Sequence, residues 1–100
     1  MTYLNLNSNI LSGKGIRGLF ALEQVVFLNL GNNRIGIIPD FAFAKMTHLK
    51  CLLLNNNKLA NISFVSILTE LNTLVLSNNH IASIPEDAFK ALVSLRKLSL

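Results

Sequence analysis

Three groups of residues in this chain of 100 have types and spacings that could do chemistry. The first is Gly13-Lys14-Gly15-Ile16-Arg17-Gly18, which spells G-x-G-x-x-G. In a dinucleotide-binding fold such glycines let a pyrophosphate approach the N-terminus of a helix. That chemistry needs a strand directly before the glycines, a helix opening on them, and an acid about 20 residues on. Here a polar turn around Asn9 intervenes, and Asp40 belongs to the turn sequence Ile38-Pro39-Asp40. No bound cofactor is expected.

The second group is Cys51 with His48 or His80, a thiol and two imidazoles of the kind that make a nucleophile and its base. No third residue stands ready to orient the imidazole. Two histidines and one cysteine at these spacings also make no zinc set. The acids Glu23, Glu70, Glu86 and Asp87 are scattered and read as solvated side chains rather than as a carboxylate pair. The expectation is therefore a chain with no catalytic residue and no metal ligand. The third group, Asn61-Ile62-Ser63, is an acceptor sequence for N-linked glycan, provided the protein enters a secretory route.

Composition limits the remaining classes. Hydrophobic residues make up 51% of the chain and charged residues only 14%, which excludes a disordered solvated segment. The net charge is +4, but the nine Lys and Arg never run longer than the pair Arg96-Lys97. A nucleic-acid footprint requires a clustered basic stripe, so no nucleic-acid partner is expected. A single cysteine forms no internal disulfide and leaves the compartment open. No apolar run reaches the roughly 20 residues that span a bilayer, so this segment is expected to make no membrane contact. The opening residues Met1-Thr2-Tyr3-Leu4 show neither the basic region nor the apolar core of a secretory leader.

The elements that position these residues follow from an internal repeat. Lines begun at Met1, Val25, Leu49, Leu71 and Leu95 are spaced by 24, 24, 22 and 24 residues. The first line carries Leu4, Leu6, Asn9 and Leu11, and the second Leu28, Leu30, Asn33 and Ile35. The third carries Leu52, Leu54, Asn57 and Leu59, the fourth Leu74, Leu76, Asn79 and Ile81, and the shortened fifth Leu98 and Leu100. Each reads L-x-x-L-x-L-x-x-N-x-L. The leucine pairs alternate with other residues at the period of a strand, so one strand face points inward and the other outward. Stacked strands would pair in parallel along the inner side of an arc. Two second halves also agree, Ile38-Pro39 with Ala42-Phe43 and Ile84-Pro85 with Ala88-Phe89. Phe43 and Phe89 are expected to stack with Leu19 and Val65 beneath the convex side. The third line is two residues short, with Phe64-Val65 where Ala-Phe would stand, and the first has Lys14 where Ile38 and Ile84 stand.

This pattern resembles the leucine-rich repeat family over the whole chain, and the IP-x-x-AF tail is similar to the 24-residue repeats of animal extracellular and receptor proteins. The resemblance implies an α/β solenoid, a horseshoe arc with a parallel β-sheet on its concave face and irregular or short helical convex segments. It also implies a ladder of Asn9, Asn33, Asn57 and Asn79 that satisfies backbone groups at the turns. A single array over residues 1–100 is expected, of about four full repeats and a partial fifth. Because neither end shows a capping unit with a polar outer face, the reading is a fragment of a longer solenoid with self-association through its open ends.

Function is then expected on the concave face. One outward column runs Tyr3, Phe27, Cys51, Thr73 and Lys97, and the next Asn5, Asn29, Leu53, Val75 and Ser99. A third runs Asn7, Gly31, Asn55 and Ser77. Exposed Tyr3, Phe27, Leu53 and Val75 would form an apolar patch of the kind that marks interaction sites. Arg34, Lys58 and His80 would form a basic rim. The expected function is protein–protein interaction through this face, within an extracellular or cell-surface receptor-type protein. The alternatives are a cytoplasmic scaffold or adaptor, and the recognition segment of an enzyme whose catalytic domain lies elsewhere.

Overall fold

The computed structural model describes residues 2–100. The first repeat position, Met1, lies outside the described residues. Five short strands form one sheet: β1 (Thr2–Asn5), β2 (Val25–Asn29), β3 (Cys51–Leu53), β4 (Thr73–Val75) and β5 (Lys97–Ser99). They lie side by side in chain order and every pairing is parallel. A parallel sheet with sequential order requires each strand to return by a crossover, and the convex half of every repeat supplies it. The fold is the expected leucine-rich repeat solenoid with an open sheet.

Register follows the repeat. Leu28, Leu52 and Leu74 face one another across β2, β3 and β4, with Leu4 and Leu98 as their partners on the flanking strands. Leu28, Leu30, Leu52, Leu54, Leu74 and Leu76 are all buried. A one-residue slip would turn these leucines to solvent, so the buried row locks the register. Backbone bonds also continue the ladder past each strand, from Leu30 N–H to Leu53 O and from Leu54 N–H to Val75 O, both 2.8 Å.

On the convex side two repeats carry a short 3-10 helix, Arg17–Ala21 and Ser63–Ile67, and the others carry turns. No α-helix occurs among the described residues. The backbones nevertheless correspond. Met46 N–H bonds to Phe43 O, Leu68 N–H to Val65 O and Leu22 N–H to Leu19 O, at 2.9–3.1 Å. Leu19, Phe43 and Val65 are thus equivalent along the chain; Phe43 and Val65 belong to one buried core cluster, and Leu19 and Phe89 pack against it. Phe43 is packed edge-to-face by Phe20 at 6.4 Å and by Phe64 at 5.7 Å. The rings come from one residue after and one residue before the equivalent position. Both rings stand on the two 3-10 segments. Phe89 and Ile84 are not buried as Phe43 and Ile38 are, and Ile84 is 38% exposed. In the first repeat Ile16, not Lys14, fills the buried convex position.

Each strand exit makes the same sharp turn. Ser8, Asn32, Asn56 and Asn78 all sit at φ between 55° and 62°. Asparagine tolerates this left-handed region better than most residues. The doubled Asn32-Asn33, Asn56-Asn57 and Asn78-Asn79 therefore divide the work. The first asparagine bends the chain and the second bonds the turn.

Candidate functional site: the concave face and its asparagine exits

The strand pairings bring the outward residues together. Tyr3, Phe27, Cys51, Thr73 and Lys97 are successive register partners, and so are Asn5, Asn29, Leu53, Val75 and Ser99. Tyr3 and Phe27 stack with centroids 5.6 Å apart and planes inclined by 17°. Tyr3, at 68% exposure, stands out into solvent, and Asn5 and Lys97 on the flanking strands are also exposed. Phe27, Cys51, Leu53, Thr73 and Val75 are half-buried, because side chains on adjacent parallel strands shield one another. The patch is flatter and less exposed than the sequence suggests. Burial pushes the Cys51 thiol above its ordinary range, and Lys97 acts weakly in the opposite sense. At neutral pH this position therefore presents a neutral thiol.

None of the five acids lies in these columns. Glu70 instead contacts His48 at 3.2 Å, a pair with both partners well exposed. Screening by solvent leaves such a pair little stabilising effect. Arg34, Lys58 and His80 are exposed along one edge, each anchored by its backbone N–H to the carbonyl of Leu11, Ile35 or Leu59 at 2.8–2.9 Å. Among the described residues, no group of three or more histidines, cysteines or acids converges as metal ligands do.

Beneath the exits, three asparagines bond across repeats in one pattern. Asn57 Oδ1 accepts from Ile35 N–H at 3.0 Å, and its Nδ2 donates to Leu30, Leu54 and Asn55 carbonyls at 2.9–3.3 Å. Asn33 accepts from Leu11 N–H and donates to Leu6, Leu30 and Gly31. Asn79 accepts from Leu59 N–H and donates to Leu54, Leu76 and Ser77. Asn9 differs. It is exposed and bonds only within its own repeat, to Leu6 and Asn7.

A second amide network is present that the sequence reading missed. Asn29 Oδ1 accepts from Gly31 N–H at 3.0 Å and from Asn7 Nδ2 at 3.2 Å, and Asn32 Nδ2 reaches Asn7 Oδ1 at 3.3 Å. Asn5 Oδ1 likewise accepts from Asn7 N–H. Asn5 and Asn29, proposed from sequence as partner contacts, thus spend an acceptor on holding the exit turn. The available signal is the spacing of two, at which Asn side chains bond the backbone. Gly31 sits inside this network. A Cβ there would lie 2.7 Å from both Asn55 Oδ1 and Asn7 Nδ2. Gly31→Ala is expected to displace those side-chain amides and cost about 1 kcal/mol, the low end of overpacking, because the atoms it meets end side chains rather than backbone. Gly18→Ala, facing open space, is the control and should hold or slightly raise the urea midpoint. Equal midpoints for the two variants would refute the constraint.

A repeating concave sheet with asparagine-bonded exits defines the class of leucine-rich repeat proteins, and comparison agrees. Residues 23–67 match the family profile described as leucine rich repeats in two copies, and residues 61–100 match the leucine rich repeat profile. The chain belongs to the leucine-rich repeat family. Among solved structures, the leucine-rich repeat domain of APL1B superposes with a TM-score of 0.85 at 25% identity, over 98% of this chain and 29% of that one. The LRIM1/APL1C complex matches at 0.77 and 26%, over 98% and 19%. The internalin InlF from Listeria monocytogenes matches at 0.61 and 25%, over 85% and 31%. This chain spans less than a third of the length of each. No curated protein sequence matches it.

Proposed function

We propose that the concave sheet binds a protein partner, with Tyr3, Phe27, Cys51, Leu53, Thr73, Val75 and Lys97 in contact and the chain itself non-catalytic. The observation that carries this reading is the stacked Tyr3–Phe27 pair continuing into Cys51, Leu53 and Val75 without an acid. A rigid aromatic pair offers a large contact area at low entropy cost, and aromatic anchors dominate interface energetics. Proteins of this family commonly serve as protein-interaction modules, and one similar structure is itself a two-protein complex, LRIM1/APL1C. The setting that fits is an extracellular or cell-surface receptor-type protein involved in signalling. The half-buried free thiol of Cys51 suits a cytoplasmic scaffold equally well, and an enzyme using this array for recognition would hold its catalytic groups outside these residues.

The test uses the chain and a Phe27→Asp/Leu53→Asp variant as paired baits against cell-surface and cytosolic protein pools, after circular dichroism shows both folded. A partner held by the chain should lose about 30-fold or more in affinity to the double variant, the scale of a hot-spot loss near 2 kcal/mol. Tyr3→Ala, at an exposed site away from the core, should weaken the same partner several-fold. Unchanged dissociation constants for both variants would remove the concave face as the binding surface.

A further inference from the structure

We infer that Asn61, on the face opposite the proposed binding surface, is an N-linked glycan acceptor. The chain has thirteen asparagines, and Asn61 is the one followed at the second position by Ser or Thr. It precedes the 3-10 helix Ser63–Ile67 on the convex side and is exposed. Transfer needs an accessible side-chain nitrogen, and here the asparagines divide sharply. Asn33, Asn57 and Asn79 each commit Nδ2 to three backbone carbonyls. Asn61 commits only Oδ1, which accepts from Ser63 N–H at 2.8 Å, and its Nδ2 has no hydrogen-bond partner among the described residues. That bond curls the tripeptide into one exposed turn, in which the Ser63 hydroxyl donates to the Asp40 carboxylate of the preceding repeat and the Asn61 nitrogen is left free.

The surroundings have room for a sugar. An open groove of about 440 Å³ runs beside Asn61, lined by Ile62, Ser66, Ser83, Pro85 and Asp87. It falls where the 22-residue repeat with its 3-10 helix meets the 24-residue repeat with its Ile-Pro turn. Hydroxyls, a carboxylate and small apolar surfaces in one groove suit the mixed polar and apolar faces of a saccharide. In the transfer, Asn61 Nδ2 bonds to the anomeric carbon of an oligosaccharide carried on a lipid pyrophosphate. The bond from that carbon to the pyrophosphate oxygen breaks, the lipid pyrophosphate departs, and the amide loses one proton.

The experiment is expression of the full chain behind a secretion leader in cultured animal cells, with intact mass measured before and after peptide N-glycosidase. The expected result is a secreted chain heavier by one oligosaccharide, which the glycosidase removes, leaving an aspartate at that position. Asn61→Gln and Ser63→Ala should be secreted at the unmodified mass, and Ser63→Thr should keep the glycan. A secreted wild-type chain of unmodified mass would overturn the assignment, as would a glycan that persists in Asn61→Gln. Because acceptance is read by mass, a failure of concave-face binding leaves this result standing, and the reverse also holds.

Discussion

Replacing Asn57 with alanine is expected to cost about 3–5 kcal/mol, a large part of the roughly 5–15 kcal/mol that holds a domain of this size. The side chain is buried and makes four hydrogen bonds. Its acceptors do not all become orphans when it goes. Leu30 O keeps Asn33, Leu54 O keeps Asn79, and Asn55 O keeps the Asn32 N–H. The Ile35 N–H, in contrast, loses its partner inside the core. One orphaned buried donor costs about 1–3 kcal/mol, and three lost bonds at about 0.5–1.5 kcal/mol each make up the rest. Asn9→Ala removes two exposed bonds within one repeat and should cost less than about 1 kcal/mol. Urea titration of both variants measures the contrast. An Asn57→Ala midpoint within error of Asn9→Ala would show that the cross-repeat bonds add nothing to stability.

Phe43→Ala should cost about 3–5 kcal/mol, the range for a buried phenylalanine truncated in a core that relaxes only partly. Its ring is 1% exposed and touches Phe20 and Phe64, so one deletion opens the convex core across three repeats. Phe89→Ala, at the corresponding place in the fourth repeat, removes a half-buried ring and should cost about half as much. A double-mutant cycle between Phe43 and Phe64 should return a coupling of about 0.5–1.5 kcal/mol from the edge-to-face contact. A coupling of zero, or equal costs at Phe43 and Phe89, would contradict the packing described.

The two sites show how stability and proposed binding are separated in this fold. Burial runs through the leucine rows and the convex rings, while outward residues such as Tyr3 and Thr73, unlike Asn5, Asn29 and Gly31, take no part in bonding the turns. Substitutions at Tyr3 or Thr73 should therefore change recognition with little effect on the urea midpoint, whereas changes at Asn57 or Phe43 act on the whole solenoid.

By itself the sequence determined the repeat, and with it the parallel order of the strands and the pairing of Leu28 with Leu52 and Leu74. It did so because a period of two along each strand, repeated every 22 to 24 residues, admits one register that turns the repeat leucines, Leu28, Leu52 and Leu74 among them, to the inside. The same register placed Tyr3, Phe27 and Cys51 in one outward column. Tertiary structure decided what depends on the shape of the turns. The fold of the convex segments brought the rings of Phe20 and Phe64 edge-to-face against Phe43, a contact that repeat alignment does not show. The left-handed residues at 8, 32, 56 and 78 set the distance at which the amides of Asn7 and Asn55 close around Gly31. Mutual shielding across the sheet left Phe27 and Leu53 half-buried while Tyr3 stayed exposed. Periodicity specifies which residues share a face, but distance, exposure and hydrogen-bond partner depend on backbone angles at the turns, which repeat spacing does not encode.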